Sequence, residues 1–243
     1  MKYFCMDGHM HFDLYKNRFN ILEYIETNQS YTIVMTNLPK LYEKYYYEDW
    51  NYKFVRLSLG FHPELAAQYY DQISIFKKYV NSTRYIGEIG LDYSVSDEYN
   101  KEQQRKIFNE IIRCCRNDEN KILSVHTRKA ESDCLRILYG YKGKVIFHWY
   151  SGNLTCLDIA LRRGYYFSIN HQMTRSINGR RIINRLPLNR IIIESDAPFT
   201  TGMQNSYQLQ FIDEIYNYLS DNRSVCKNDI IKQIKENFRM IVK

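Results

Sequence analysis

Eight short apolar runs punctuate the chain, each followed at once by a polar residue, a glycine or a proline. They lie at residues 3–6, 31–36, 54–59, 84–87, 122–125, 144–147, 165–169 and 190–193. The last, Arg190-Ile191-Ile192-Ile193, has the continuous β-branched pattern of a strand buried on both faces in a parallel sheet. It runs into Glu194-Ser195-Asp196-Ala197-Pro198, an acid at a strand tip with a chain-breaker behind it, which is how an α/β barrel presents a catalytic group. Between the runs, apolar residues at spacings of three and four predict helices over 17–27, 64–80, 98–116, 129–138, 153–163, 176–185, 207–219 and 227–242. The clearest is 98–116, with Ile107, Phe108, Ile111, Ile112 and Cys115 on one face. Strand alternating with helix eight times predicts an α/β fold of the (β/α)8 TIM-barrel type. Two segments exceed what such a barrel needs, the aromatic and charged 41–52 and the polar 200–206. Both are expected as loops near its mouth, where loops carry function.

Length and composition narrow this further. At 243 residues, without internal repeat, low-complexity tract or linker, the chain reads as one domain over 1–243. No apolar run approaches the ~18 residues of a membrane span, and Asp7 follows too soon for a signal peptide. The six cysteines are scattered without a C-x-x-C pair, so reduced thiols in a cytoplasmic protein are expected, and a cysteine zinc site is not. A formal charge of +7 fits an anionic substrate and a solvated basic surface equally well. The 23 tyrosines read as composition rather than as stacking platforms.

The residues that follow the runs carry the chemistry. His9-Met10-His11 follows the first; residues two apart on a strand point the same way, so both imidazoles would face the barrel axis. Alone, H-x-H is a weak signal. Glu88 follows the fourth run, His126 the fifth, His148 the sixth and Asp196 the eighth, giving six potential ligands at one rim. Imidazole with carboxylate suits Zn²⁺, Mn²⁺ or Fe²⁺, and carboxylate with water also admits Mg²⁺. Six donors exceed the need of one tetrahedral ion. Two ions sharing Glu88 and a water is the natural arrangement, one that acidifies the water and clamps a phosphate ester. His62, in Gly60-Phe61-His62-Pro63, is either a substrate contact or a turn residue. Arg128 is either a bidentate phosphate ligand or an ion-pair partner of Asp92. Asp92 itself could orient a metal-ligating side chain. Trp149 could stack on a base or simply pack. Thr174, Arg175 and Ser176 open a helix after the seventh run, where barrel phosphate sites are frequent. His171 is expected at the surface.

These motifs together resemble the TatD-type metal-dependent deoxyribonucleases. The resemblance rests on Asp7-Gly8-His9-Met10-His11, Gly60-Phe61-His62-Pro63, Gly87-Glu88-Ile89-Gly90-Leu91-Asp92, His126-Thr127-Arg128-Lys129-Ala130, Phe147-His148-Trp149-Tyr150-Ser151-Gly152 and Glu194-Ser195-Asp196-Ala197-Pro198. It implies a barrel hydrolase that cuts phosphodiester bonds with two or three divalent ions, Zn, Mg or Mn. His9, His11 and Asp196 would hold one ion and His126 and His148 another, with Glu88 bridging. A closer likeness, carried by Asp13-Leu14-Tyr15, Pro63-Glu64-Leu65-Ala66, residues 165–170 with Met173-Thr174, and Ser195-Asp196-Ala197-Pro198-Phe199, is to the TatD-like (QatD) members of Qat anti-phage clusters. It implies antiviral defence beside QatA, QatB and QatC. Two departures stand out: Phe199-Thr200-Thr201-Gly202-Met203-Gln204-Asn205 lacks the basic stretch usual after the Asp-x-Pro turn, and Trp149 replaces a small residue.

The leading expectation is a phosphodiesterase acting on DNA or a nucleotide-like substrate. The rival enzyme class is an amidohydrolase cleaving a C–N bond of a modified base or small molecule; its two-metal members commonly bridge the ions through a modified lysine, whereas here the position is Glu88. A third reading is a non-catalytic, partner-binding subunit, with 41–52 as its surface.

Overall fold

A computed structural model describes residues 3–48, 50–94 and 97–243. In chain order the first elements are β1 (Met6–Met10), α1 (Arg18–Thr27), β2 (Tyr31–Val34), α2 (Pro39–Tyr47), β3 (Val55–Leu57) and α3 (Ile73–Tyr79). Then come β4 (Tyr85–Asp92), α4 (Glu98–Cys115), β5 (Ile122–Arg128), α5 (Glu131–Ile137), β6 (Lys144–Phe147) and α6 (Leu154–Arg162). The chain closes with β7 (Tyr166–Ile169), α7 (His171–Arg175), α8 (Ile177–Arg185), β8 (Ile191–Ile193), α9 (Gln210–Arg223) and α10 (Lys227–Val242). Strand and helix thus alternate through eight strands, the order of a (β/α)8 fold.

By packing, the chain falls into two units, Met1–Val34 with Tyr52–Arg56 and Tyr166–Lys243, and Met35–Asn51 with Leu57–Tyr165. In the first, β1 pairs in parallel with β2, with an irregularity between Asp7 and Met10, and β7 pairs in parallel with β8. Every residue of β1 and β8 is buried, so neither shows the alternation of a half-exposed strand. Gly8 lets the backbone of β1 lie against β8: a Cβ there would meet Ile192 Cδ1 at 2.9 Å and the Ile193 carbonyl at 3.1 Å. β1 begins three residues later than the apolar run 3–6 indicates. Phe4 packs instead against Tyr31 and Phe238, and the ladder runs on through the motif itself.

In the second unit β4, β5 and β6 form a parallel ladder. β4 and β5 run on to Asp92 and Arg128, so Glu88 and His126 lie within strands rather than after them. The register slips between Ile86 and Ile89, next to Glu88; such irregularities re-aim a side chain. Gly90, at φ +137°, would place a Cβ 2.0 Å from the His126 carbonyl. α4 buries the face expected of it, including Ile107, Phe108, Ile111 and Ile112, and adds Gln103 and Gln104.

Two expectations are corrected here. Residues 41–47 are helix rather than loop: Pro39 at the first turn starts α2, whose Tyr42 and Tyr45 are buried. Tyr42 and Tyr46 pack on Tyr79 at 5.9 and 5.2 Å. Asp49 lies outside the described residues. The single helix expected over 64–80 is broken into short 3₁₀ turns at Pro63–Leu65, Tyr70–Gln72 and Val80–Ser82 around α3. Gln72 is buried and takes the Lys40 N–H at 3.1 Å, so it caps α2 instead of facing solvent on a continuous helix. No helix among the described residues is long and apolar enough to cross a membrane. None of the cysteines is in a disulfide.

Candidate metal centre

His9 is the fourth residue of β1 and His11 follows its end. The turn after β8 is tied back to them. The Asp196 N–H donates to the His9 carbonyl at 2.9 Å, and the His11 N–H donates to that of Ala197 at 2.8 Å. All three side chains are buried. The two Nε2 atoms lie 3.1 Å apart, and Asp196 Oδ1 sits 3.7 and 3.6 Å from them. That oxygen is buried with no hydrogen-bond partner among the described residues, which left uncompensated costs about 1–3 kcal/mol, more for a charge. Donors held at ~2.1 Å from a common ion sit roughly 3–3.5 Å apart. The three atoms therefore fit a divalent cation better than they fit one another. Asp196 has φ +47°, a left-handed conformation that Asp and Asn tolerate.

Two further buried carboxyls brace this cluster. Asp7 takes the N–H of His9 at 3.2 Å, the N–H of Ser195 at 2.9 Å and the Tyr207 hydroxyl at 2.8 Å, clamping β1 to the turn after β8. Burial pushes its pKa up to about 6 against those hydrogen bonds. Glu194 accepts from the Ser168 hydroxyl and, at 3.3 Å, from Asn170 Nδ2. Burial and then the nearby Asp196 hold its pKa well above the usual range. Neither carboxyl was singled out in the sequence. The available signal for Asp7 was its position two residues before His9, on the same face of β1.

In the second unit Glu88 Oε1 is the hub. His126 Nδ1 and His148 Nε2 each lie 2.7 Å from it, and His62 Nε2 lies 3.5 Å away. His126 Nδ1 and His148 Nε2 are 3.3 Å apart. The far side of His126 is fixed by Asp92, whose Oδ2 is 2.9 Å from Nε2. A carboxylate behind an imidazole is how metal-ligating histidines are oriented and made more basic. Gln104 locks Asp92 in place, accepting its N–H at 2.7 Å and donating to its carbonyl at 2.9 Å. His62 differs from the other imidazoles. Its Nδ1 accepts the Glu64 N–H at 3.3 Å, which puts the proton of the neutral ring on Nε2. Toward Glu88 it offers an N–H, not a lone pair.

Without metal, half-buried His126 holds its proton. Burial alone would lower its pKa, but hydrogen bonds and charge from Asp92 and Glu88 outweigh burial and push it up to about 10 from 6.5. Its contribution to the stability of the metal-free protein is therefore full below about 6.5 and is lost as pH rises through about 10. An ion binds the neutral imidazole, so loading at pH 8 is expected to expel this proton. Calorimetric titration of Zn²⁺ or Mn²⁺ in two buffers of different ionisation enthalpy checks it. An apparent enthalpy that does not change with buffer would remove His126 from the ligand set.

The remaining candidates separate. Arg128 is exposed at the end of β5, and Asp92 faces His126 and Ser94 rather than Arg128. Trp149 is half-buried with its backbone at φ +36°. Thr174 is buried, its hydroxyl donating to the His171 carbonyl at 2.8 Å, so it faces the turn of α7. Arg175 pairs with Glu214 through two bonds of 2.9 and 2.8 Å, and Ser176 caps α8. His171 is not a surface residue: it is buried, with Nε2 2.9 Å from the Thr201 carbonyl.

The sequence pattern of the family "TatD related DNase" matches residues 6–243. The chain belongs to the TatD-related DNase family. Among curated relatives, an uncharacterized metal-dependent hydrolase of Buchnera aphidicola is 27% identical over 198 residues, covering 76% of this chain and 72% of that one. The human deoxyribonuclease TATDN3 is 30% identical over 160 residues, 60% of this chain and 58% of that protein. Among solved structures, the TatD homologue YjjV of Escherichia coli K12 superposes with a TM-score of 0.83 at 20% identity, over 98% and 97% of the two chains. That likeness shows the fold, (β/α)8. The TatD family assignment makes the protein a metal-dependent hydrolase, and the ligand atoms of His9, His11 and Asp196 lie close enough together to share such an ion.

Proposed function

We propose that the protein is a metal-dependent phosphodiesterase acting on DNA or a nucleotide-like phosphoester. His9, His11 and Asp196 hold one divalent ion; Glu88, His126 and His148 hold a second; the ions are Zn, Mg or Mn. The observation that carries this reading is the convergence of His126 and His148 on one Glu88 oxygen with Asp92 behind. When bound, such ions polarise a phosphoryl oxygen and acidify water. Everything else is the work of the chain. Asp92 orients His126, Asp7 holds the His9 and Ser195 backbone together, and His62 presents Nε2–H as a hydrogen-bond donor to a phosphate oxygen. Glu88 rather than a lysine at the centre of the donor set favours phosphoesters over the C–N bonds of amidohydrolases. The deoxyribonuclease name of the human relative supports DNA as the substrate class. The Qat-like motifs extend the proposal to an anti-phage role with QatA, QatB and QatC as partners, in the cytoplasm.

The test is a hydrolysis panel of single-stranded DNA, duplex DNA, RNA and short nucleotide conjugates with Mg²⁺, Mn²⁺ or Zn²⁺, and with chelator. Cleavage of DNA that chelator abolishes is expected; intact phosphodiesters throughout, with metal bound, would overturn the reading. Within it, His62→Gln is expected to keep its full metal content while kcat/KM falls by roughly 10- to 100-fold, the worth of one hydrogen bond to a charged group. Loss of metal in that variant would make His62 a ligand instead.

A further inference from the structure

Phe199 is 58% exposed, although it follows directly on the turn that carries Asp196. Exposure alone means little, because single apolar side chains are common on protein surfaces. Its setting means more. The ring stands edge-on to His11, with centroids 5.3 Å apart and planes at 80°. The backbone that presents it is fixed. The Phe199 N–H donates to the Asp196 carbonyl at 2.8 Å and the Thr200 hydroxyl to the Ser195 carbonyl at 2.7 Å. The Met203 N–H donates to Thr200 at 3.1 Å, the Met203 carbonyl accepts the Tyr15 hydroxyl, and buried His171 holds Thr201. The segment 199–205 carries no charged side chain. A rigid turn thus holds an apolar ring out to solvent beside His9, His11 and Asp196, with no cation on it to grip a phosphate.

We infer that Phe199 is a stacking platform for an unpaired nucleobase and so sets substrate specificity; the inference rests on the phosphodiesterase reading. Every base has a π-face, so stacking is tolerant of sequence, and it substitutes for phosphate charge in holding a strand. The ring-to-His11 distance is within the span of one nucleotide from base to phosphate. A base stacked on Phe199 therefore leaves its own phosphodiester at the ligand cluster. Bases inside a duplex have both faces covered, and taking one out costs a few kcal/mol. Single strands and frayed ends are the substrate class this platform selects.

The experiment compares wild type with Phe199→Ala and Phe199→Trp, all metal-loaded, on a short oligothymidylate and on a series lacking one thymine at a time. Phe199→Ala is expected to raise KM for the intact strand about 5- to 100-fold, with kcat and metal content little changed. Phe199→Trp should restore KM. One member of the base-deleted series should show a raised KM with wild type and no further rise with Phe199→Ala, as required when both changes remove the same contact. An unchanged KM, an equal rise on every base-deleted strand, or loss of metal through His11 would overturn the stacking role. If wild type cleaves no nucleic acid, the phosphodiesterase reading falls first and this inference with it.

Discussion

Glu88→Gln is expected to abolish metal-dependent hydrolysis while leaving the protein folded. The substitution keeps the size and shape of the side chain, so packing around β4 is preserved. It removes the charge that His126 and His148 face at 2.7 Å and puts an N–H₂ group where an acceptor stood. Losing a group that merely orients a ligand costs 10- to 100-fold in metal affinity or activity, so losing the hub of the donor set should cost more than about 100-fold. Asp92→Asn, which loosens His126 from behind, should fall inside that 10- to 100-fold range. Asp196→Asn offers the complementary control. Asn tolerates φ +47° as well as Asp does, so backbone strain does not confuse the result, and the ion lost should be the one proposed for His9 and His11. Metal stoichiometry by elemental analysis, with circular dichroism to confirm folding, reads all three. A Glu88→Gln protein that still binds its full complement and hydrolyses substrate would remove Glu88 from the centre.

What the sequence discloses about the two candidate clusters follows from how each is built. His9, His11, Glu88, His126, His148 and Asp196 are legible because each follows or interrupts an apolar run, and ionisable side chains there are unusual enough to read one by one. β6 is legible to the residue, since Lys144 and His148 bound an unbroken apolar run. β1, β4 and β5 are not, because their ladders continue through polar motif residues that are buried by neighbours rather than by their own hydrophobicity. α2 escapes notice because tyrosine is an indifferent helix former, and its helix spacing matters only once Tyr79 lies opposite. Asp7, Glu194, Gln104 and His171 belong to the same class. Each is defined by a partner distant in the chain: Tyr207 for Asp7, Ser168 for Glu194, Asp92 for Gln104 and Thr201 for His171. A one-dimensional pattern holds no trace of those pairs.

Gly60→Ala tests the backbone that carries Glu88. A Cβ at Gly60 would lie 1.7 Å from the Thr36 carbonyl oxygen and 2.6 Å from both the Glu88 nitrogen and the Gly87 oxygen. All three are main-chain atoms, so no rotamer change relieves the clash. The neighbourhood is also laced together: the Gly60 N–H donates to the Thr36 hydroxyl at 3.0 Å, Phe61 to the Glu88 carbonyl at 2.8 Å and Gly87 to the Leu59 carbonyl at 2.9 Å. Overpacking that side chains can absorb costs typically 1–3 kcal/mol; one that must displace two segments of backbone belongs at the top of that range or above it. At about 2–4 °C per kcal/mol for a chain of this size, the melting temperature should drop by at least about 6 °C. The folded fraction should also bind metal weakly, because relief of the clash moves the Glu88 peptide. Gly202→Ala separates this from a general intolerance of the added methyl. Gly202 sits at φ +87° with nothing within 4 Å of its would-be Cβ, so only the left-handed backbone is penalised, by about 1–2 kcal/mol, and metal content should be unaffected. Thermal unfolding followed by circular dichroism, paired with elemental analysis, distinguishes the two. If Gly60→Ala melts with wild type and keeps its metal, the close approach of the Gly60 turn to Glu88 is not what positions that carboxylate.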